Sequence, residues 1–303
     1  MQRNRPDRER GAARPRPPGI PGSGRRARRG SRIAAAAAAL GAPLLVVAGA
    51  AALDLADVTP SSLLGEGDIE FKTFHAVYTQ TASFDADGRR REEPRSTYYT
   101  GTLSVTTGTG AAWNPGVDLT LRSVTNDAFP ERTRSRTTLT AVAPRVRIAP
   151  FRSRPGLALE TGVRIPVAHD LEGTDRIPYL DWGDPIWTTR ILWDLRLGGT
   201  WTAWVEAGTQ LRAGPDAGDA QLTTPVQVLL NWWPRSAWTV YVPFGIAPDW
   251  IGDARGHYWS QTGLGVKFRP TPRVEFEVLG TVLPLGRGAG AGSGLAVGLR
   301  LAP

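Results

Sequence analysis

From residue 69 onward, apolar and polar side chains alternate in segments of about ten residues, separated by turn-forming residues. In 273–283, for example, Val274 and Phe276 alternate with Glu275 and Glu277. This alternation predicts β-strands with one apolar and one polar face, and no helical period of convincing length follows residue 68. Twelve strands are predicted, at 69–80, 96–107, 116–125, 136–149, 157–168, 186–197, 201–212, 221–232, 237–247, 257–269, 273–283 and 294–301.

The connections between these strands are alternately short and long. The short ones lie at 150–156, 198–200, 233–236 and 270–272, and 108–115 is the one longer member of this set. The others are mostly long, polar or rich in glycine, and lie at 81–95, 126–135, 169–185, 214–220, 248–256 and 284–293. Up-and-down transmembrane barrels show this asymmetry, with short periplasmic turns and longer extracellular loops. The sequence therefore predicts an all-β fold, an antiparallel transmembrane β-barrel of about twelve strands over 69–303, with both termini on the periplasmic side.

Four prolines interrupt the predicted strands. Pro144, Pro166, Pro225 and Pro243 each lack the backbone donor that a strand ladder uses. We expect bulges or shortened pairing at these positions. The segment 69–80 is also ambiguous, because its apolar residues compete for the outward face.

The first 52 residues differ in composition from everything that follows. Residues 1–32 contain 11 Arg against Asp7 and Glu9, and an Ala-rich apolar stretch follows at 33–53. A basic region, an apolar region and small residues at candidate cleavage sites predict a signal peptide at 1–52, followed by a periplasmic lead-in at 53–68. A transmembrane anchor is the alternative, since the 21 residues of this stretch could span a bilayer.

The net charge of +8 does not describe the exported part of the chain. Residues 1–32 contribute +9, which leaves −1 for residues 33–303. A basic chain would ordinarily suggest a nucleic-acid partner, but the charge lies in the predicted signal peptide. No nucleic-acid partner is therefore predicted, and the lack of Cys excludes disulfides.

Tryptophan placement helps to separate a membrane barrel from a secreted β-sandwich, which would show the same alternation. Transmembrane barrels carry aromatic girdles at both membrane interfaces. Six Trp residues near predicted strand ends are assigned to these girdles: Trp201, Trp232 and Trp238 on the periplasmic side, and Trp187, Trp250 and Trp259 on the extracellular side. Ordinary core filling is the alternative, because Trp193 is mid-strand and Trp204 and Trp233 have the inward parity.

With these features the exported body resembles Gram-negative outer-membrane β-barrels of the porin and channel type. The last strand has the apolar parity of their C-terminal signal, at Leu295, Val297, Leu299 and Leu301, but the chain ends in Leu-Ala-Pro instead of an aromatic residue. The resemblance rests on pattern and implies no catalytic or binding residue. It implies an outer-membrane location, contact with membrane lipid and lipopolysaccharide, and insertion by the outer-membrane assembly machinery.

Parity places many charged side chains on the inner face of the barrel. Thirteen are assigned to the lumen: Asp118, Arg122, Glu160, Arg164, Arg190, Asp194, Arg196, Glu206, Arg212, Lys267, Glu275, Glu277 and Arg300. The less certain strands add Glu70, Lys72, Arg145 and Arg147. A lumen of mixed charge with a slight basic excess predicts a channel for small polar solutes, with a weak preference for anions. A non-conducting barrel with a structural or surface-interaction role is the alternative, and a secreted β-sandwich is the third.

No catalytic residue, metal site or cofactor is predicted. His75, His169 and His257 are isolated in sequence. His257 and Ser260 have opposite parity on one strand, so they would point to different faces. An outer-membrane hydrolase is therefore disfavoured, and the sequence shows no metal-ligand spacing.

Three loops carry weaker signals. The basic run Arg89–Arg91 could contact lipopolysaccharide phosphates. The acidic segment 169–185 could fold into the lumen as a constriction, or bind a divalent cation. The tract GRGAGAGSG within 286–294 predicts a flexible loop without a phosphate-binding role, because no strand-to-helix transition follows it.

Overall fold

The computed structural model describes residues 63–302 except 111, 152–155, 215–219 and 253. The predicted signal peptide and the first ten residues of the predicted lead-in, 53–62, therefore lie outside the described residues. All regular elements of the described chain are β-strands. No described segment forms a helix long and apolar enough to cross a membrane.

The described strands form one closed antiparallel sheet. They are β1 (Ile69–Phe84), β2 (Arg90–Thr107), β3 (Trp113–Asn126), β4 (Ser135–Ile148), β5 (Leu157–Pro166), β6 (Ile186–Gly198), β7 (Trp201–Arg212), β8 (Gln221–Thr223), β9 (Val226–Arg235), β10 (Trp238–Ile251), β11 (Tyr258–Thr271), β12 (Val274–Val282), β13 (Gly286–Arg287) and β14 (Ala289–Leu301). β1 pairs with both β2 and β14, which closes the barrel. β8 and β9 both lie between β7 and β10, and β12 and β13 both pair with β11, so the barrel has twelve strand positions.

The up-and-down barrel predicted from the alternation is thus confirmed. Two-residue turns at 199–200, 236–237 and 272–273 lie at the same end of the barrel as Ile69 and Leu301, and we call this end the lower rim. The longest connection, 167–185, lies at the opposite end, the upper rim. The 272–273 turn sits slightly later than the predicted 270–272 turn, because β11 continues through a bulge to pair Thr271 with Val274.

Several strands extend farther toward the upper rim than predicted. β1 continues to Phe84 and β2 begins at Arg90, so most of the predicted loop 81–95 lies in strands. The prediction of a flexible loop at 286–294 is wrong, because this tract forms β13 and the start of β14. Its small residues fit beneath larger neighbours: the Gln80 amide lies over Gly290. Low side-chain volume at this position indicates close packing here, not mobility.

The two faces of the barrel differ sharply in polarity. In the hairpin of β11 and β12, Leu264, Phe276 and Val278 are about half exposed on the outer surface. Lys267 and Glu277 lie on the inner face, where their side chains are 12% and 10% exposed. The same arrangement recurs around the sheet, so the exterior is an apolar band and the charges lie inside. A continuous exposed apolar band of this kind marks contact with lipid or with another protein.

Aromatic side chains lie at both rims on the outer surface. Trp201 and Trp232 stack at the lower rim with ring centroids 6.3 Å apart, and Trp238 contacts Phe268 there. Trp187 and Trp250 are more than half exposed at the upper rim. The assignment of Trp259 to the outer girdle is wrong, because it is 5% exposed and packs inside against Ala247, Leu283 and Ala289. Trp259 has the same strand parity as the inward-facing Gln261 and Lys267.

The four prolines shorten the ladders, as expected. The β4–β5 ladder pairs Val142 with Ile165 and then Arg145 with Gly162, leaving a gap at Pro144. The β10–β11 ladder has a similar gap at Pro243. Pro166 ends β5, and Pro225 separates β8 from β9. The missing donor of each proline thus falls where a ladder is interrupted or a strand ends.

One aromatic–glycine contact fixes β10 against β11. The Tyr241 side chain is 1% exposed and its ring fills the space over Gly265. A Cβ atom at Gly265 would lie 2.1 Å from Cζ of Tyr241, a distance that no real contact allows. The Tyr241 hydroxyl donates to the Glu277 carboxylate on β12, so the ring cannot move away without breaking that bond.

We expect Gly265→Ala to destabilise the barrel by about 1–3 kcal/mol, the usual cost of overpacking a filled interior. Urea unfolding of detergent-refolded protein, followed by tryptophan fluorescence, measures this loss. Gly183→Ala is the matched control, because its new Cβ would lie 3.7 Å from the Glu172 side chain, an ordinary contact. Equal unfolding midpoints for the two variants would show that a Cβ atom at position 265 does not disturb the packing of the Tyr241 ring.

Candidate functional site

Ion pairs cross-link the barrel interior near the lower rim. Glu70 on β1 pairs with Lys72 at 2.9 Å and accepts from the Arg300 guanidinium on β14. On the other side of β14, Lys267 on β11 lies 3.7 Å from Glu275 and 3.4 Å from Glu277 on β12. These six charges sum to zero, so the lower end of the interior is held by balanced pairs.

A second ionic cluster, which we call the central network, crosses five neighbouring strands, from Asp118 on β3 to Glu206 on β7, which lies 3.4 Å from Arg190. Glu160 on β5 is 2% exposed and accepts from three arginines: Arg145 and Arg147 on β4 and Arg190 on β6. Arg145 also donates to Asp118 on β3 at 3.0 Å. A carboxylate this deeply buried is stable only because charged donors replace the lost water.

Hydroxyl groups continue the polar surface from the central network along β2. The Ser104 and Thr106 hydroxyls accept from Nη2 of Arg145 at 2.8 and 2.9 Å. Ser96 and Thr102 are also buried on the inner face of this strand. β2 thus presents inward-facing hydroxyls from its upper to its lower part, and the lowest two help to satisfy the Arg145 guanidinium.

An apolar cluster fills another part of the interior. Eight buried residues from eight strands form this apolar cluster: Phe74, Ala158, Leu192, Trp204, Leu229, Tyr241, Leu279 and Ala296. Their exposures range from 0% to 7%, so side chains fill this part of the lumen. On β5 and β6 the cluster lies directly below Glu160 and Arg190 of the central network, toward the lower rim.

The long upper connection 167–185 folds into the lumen. Leu171 and Leu180 are each 1% exposed and pack against Val124, an inward-facing residue of β3. Arg136 on β4 donates to the carbonyl oxygens of Asp170 and Pro178 at 2.7 and 3.3 Å. The apolar and polar contacts together hold this connection as an inward-folded loop, the lumen loop.

Two arginines of the barrel wall hold the carboxylate of Asp181 in the lumen loop. Asp181 is fully buried, with Arg122 Nη1 3.1 Å from Oδ1 and Arg164 Nη2 paired with Oδ2. The Trp182 amide also donates to Oδ1, at 2.8 Å. Elsewhere in the loop, Glu172 lies 3.7 Å from Arg212 on β7.

A cavity of about 130 Å³ lies between the lumen loop and the central network. Its charged lining comprises Asp118, Arg122, Arg145, Glu160, Arg164, Asp181 and Arg190, and Trp182 and Gln210 also line it. A cavity needs only about 10–15 Å³ of such space to hold one water molecule, so this one admits several. The interior can therefore hold a small polar molecule next to several guanidinium groups.

Tyr179 of the lumen loop is buried near the same arginines. Burial raises the pKa of its phenol, so the side chain stays neutral at physiological pH. Its hydroxyl has no hydrogen-bond partner among the described residues. The Tyr179 ring meets Trp182 edge-on, with the two ring centroids 5.6 Å apart. The Arg212 guanidinium lies 3.9 Å from the Trp182 ring centre. The loop thus brings the Trp182 ring to the cavity and packs Tyr179 against it.

The sequence-assigned lumen residues fall into four groups. Lys267, Glu275, Glu277 and Arg300 lie in the lower pairs, Asp118, Glu160, Arg190 and Glu206 lie in the central network, and Arg122, Arg164 and Arg212 contact the lumen loop. Asp194 and Arg196 are exposed near the lower rim, apart from these clusters. Arg145 and Arg147, from an uncertain strand, prove central to the network.

Sequence reasoning missed the partner role of Asp181 and the apolar cluster. Asp181 lies in an irregular loop, where alternation says nothing about direction. Leu192, Leu229 and Leu279 share strand parity with inward charged or polar residues, and that parity was the signal that could have found them.

The three histidines lie apart from the cavity lining. His75 faces outward and its ring contacts the Thr73 and Tyr99 hydroxyls at 2.9 and 2.7 Å. The Ser260 hydroxyl donates to the Leu285 carbonyl, so it does not form a nucleophile–base pair with His257. No group of three or more His, Asp or Glu side chains able to hold a metal ion occurs in the described part of the chain.

Comparisons with known proteins place this architecture among outer-membrane barrels. An outer membrane channel from Pseudomonas putida F1 superposes with a TM-score of 0.64 at 8% identity, over 80% of this chain and 98% of that protein. The beta domain of the Bordetella autotransporter BrkA superposes with a TM-score of 0.55 at 14% identity, over 78% of this chain and all of that domain. No protein-family model and no curated sequence matches the chain. At these identities the likeness establishes the fold: the chain has the closed β-barrel architecture of outer-membrane channels and translocators.

Proposed function

We propose that the protein is an outer-membrane channel that passes small polar solutes through a narrow lumen. The observation that carries this proposal is the 130 Å³ cavity lined by charged side chains of the central network, whose Arg145 also bonds the β2 hydroxyls. Fixed charges and hydrogen-bonding groups along a barrel lumen tune which solutes pass. The outer membrane channel from Pseudomonas putida shares the fold, which supports the same class of role.

The lumen loop is the constriction of the proposed channel. It occupies the upper lumen, and Asp181 bridges Arg122 and Arg164 above the cavity. Below the cavity, Arg145 and Arg190 converge on Glu160 and narrow the remaining space. A solute must pass between these two levels, so size and charge are selected over a short distance.

The apolar outer band and the two aromatic rims support a location in the outer membrane. In this orientation the lower rim, with its short turns, the start of β1 and the end of β14, faces the periplasm. A signal peptide over 1–52 would provide the required export. The exposed basic run near the β1–β2 turn would then face outward, although Arg91 is already paired with Asp85 at 2.7 Å.

A non-conducting barrel with a structural or surface role is the second candidate. The apolar cluster favours it, because eight strands contribute buried side chains that fill part of the lumen. The two candidates differ in one measurable property, the ionic conductance of the purified barrel.

We expect the wild-type protein in planar lipid bilayers to show small conductance steps. Replacement of 170–182 by a short Gly-Ser linker should raise the size of these steps several-fold, because the linker leaves the upper lumen open. Shortening the 127–134 connection at the same rim is the control and should leave the steps unchanged. Different gel mobility of boiled and unboiled samples verifies folding. Absence of conductance from both wild type and the linker variant would favour the non-conducting barrel.

The lipid-facing assignment predicts different costs for two similar substitutions on β14. Val297 and Leu301 are 45% and 43% exposed, but Val297 lies four residues above the lower rim, about 10 Å along the barrel axis. In lipid vesicles, Val297→Arg should lower the unfolding free energy by about 2–4 kcal/mol, and Leu301→Arg by about 0–1 kcal/mol. Denaturant titration of vesicle-embedded protein checks this. A water-facing surface would tolerate both substitutions equally.

A further inference from the structure

We propose that Arg122 and Arg164 form a binding site for the carboxylate of a small organic acid, and that Asp181 occupies this site as an internal stand-in. The inference deepens the proposed channel function, on which it rests, by naming the class of solute. Asp181 belongs to the lumen loop, whereas both arginines belong to the barrel wall, on β3 and β5. The carboxylate and its receptor therefore come from separate parts of the structure.

The arginine pair has the geometry of a carboxylate clamp. Each oxygen of Asp181 faces a different guanidinium, with Oδ1 3.1 Å from Arg122 Nη1 and Oδ2 against Arg164 Nη2. Thr140 on the intervening strand β4 lies 3.5 Å from the same Arg164 nitrogen. Guanidinium groups hold carboxylates through such directed, charge-assisted bonds. Nε of Arg122 is buried and has no partner among the described residues, which leaves a donor available to a ligand.

The charge of the wall also favours an added anion. Around the cavity and the central network, the strands contribute five arginines, and they contribute three carboxylates: Asp118, Glu160 and Glu206. Asp181 offsets only one of the two excess positive charges. When the Asp181 side chain leaves the clamp, the wall favours a replacement of the same charge.

The surroundings restrict the ligand to a small acid. The neighbouring cavity of about 130 Å³ has room for a short-chain carboxylate beside the clamp. Trp182 lines the cavity beside the clamp and offers an apolar surface to the chain of the acid. A larger sugar acid would need the lumen loop to move outward as a whole, against the buried Leu171 and Leu180.

Competition between Asp181 and the solute follows from this arrangement. The solute carboxylate binds only when the Asp181 carboxylate has left the arginine pair, so the apparent affinity is reduced by the fraction of time that the pair is free. A bound solute in turn keeps Asp181 displaced and the constriction wider. The same pair of arginines thus recognises the solute and holds the loop.

Binding of propionate to detergent-refolded protein tests the inference without requiring conduction. We expect Asp181→Asn to lower the dissociation constant of radiolabelled propionate, measured by equilibrium dialysis, by about tenfold or more. Without the Asp181 carboxylate, the arginine pair is free to bind propionate in nearly all molecules. Arg122→Gln and Arg164→Gln, each combined with Asp181→Asn, should abolish that gain. Glu172→Gln is the matched control, a loop carboxylate near Arg212 that lies outside the clamp, and should behave as wild type.

Propionamide, which has the same shape without the charge, should not compete with propionate, and chloride should compete only weakly. Equal competition by chloride would show a nonspecific basic surface and overturn the carboxylate site. Unchanged affinity in folded Asp181→Asn would overturn the stand-in role of Asp181. Propionate binding by a protein that conducts no ions would contradict the channel function and leave the site intact, whereas conduction without propionate binding would contradict only the site.

Discussion

Closure of the backbone ladder is the constraint on which the rest of this molecule depends. In an apolar environment every unpaired N–H or C=O group is costly, so a sheet is stable there only if its first and last strands pair. The β1–β14 seam does this, from Phe71 opposite Leu301 to Phe84 opposite Ala289. Because the outer face is apolar, charged side chains on the barrel wall between the two rims face the interior. The interior must then pair them, and Glu160 with its three arginines shows how completely it does so.

The alternation of apolar and polar residues was sufficient to predict the number of strands and the identity of the inner face. A period of two residues has only two possible registers, and the charges of a strand such as β12 decide between them. Strand ends were less predictable. Residues 286–294 consist of small and turn-forming types that suit a loop, but these types also suit a strand whose neighbours fill the space above it, as Gln80 does over Gly290. Such a choice depends on partners distant in sequence.

Parity placed Arg122 and Arg164 on the inner face, but could not identify their partner. Asp181 belongs to an irregular loop, and its position is set by the burial of Leu171 and Leu180 against β3. Trp259 shows the opposite limitation: its position near a strand end suggested a membrane interface, while its parity pointed inward. For Trp259, the strand face given by its parity therefore predicted its surroundings better than its distance from the strand end did. Loops that fold back require tertiary contacts that no local pattern encodes.

The apolar cluster has a consequence for the strength of the central network. On β5 and β6, Ala158 and Leu192 lie two residues below Glu160 and Arg190, toward the lower rim. Side chains packed at this level keep water away from the ion pairs above them, and a lower local dielectric constant strengthens each pair. The same packing keeps dissolved ions away, so salt screens the network far less than it screens an exposed pair such as Arg91 and Asp85.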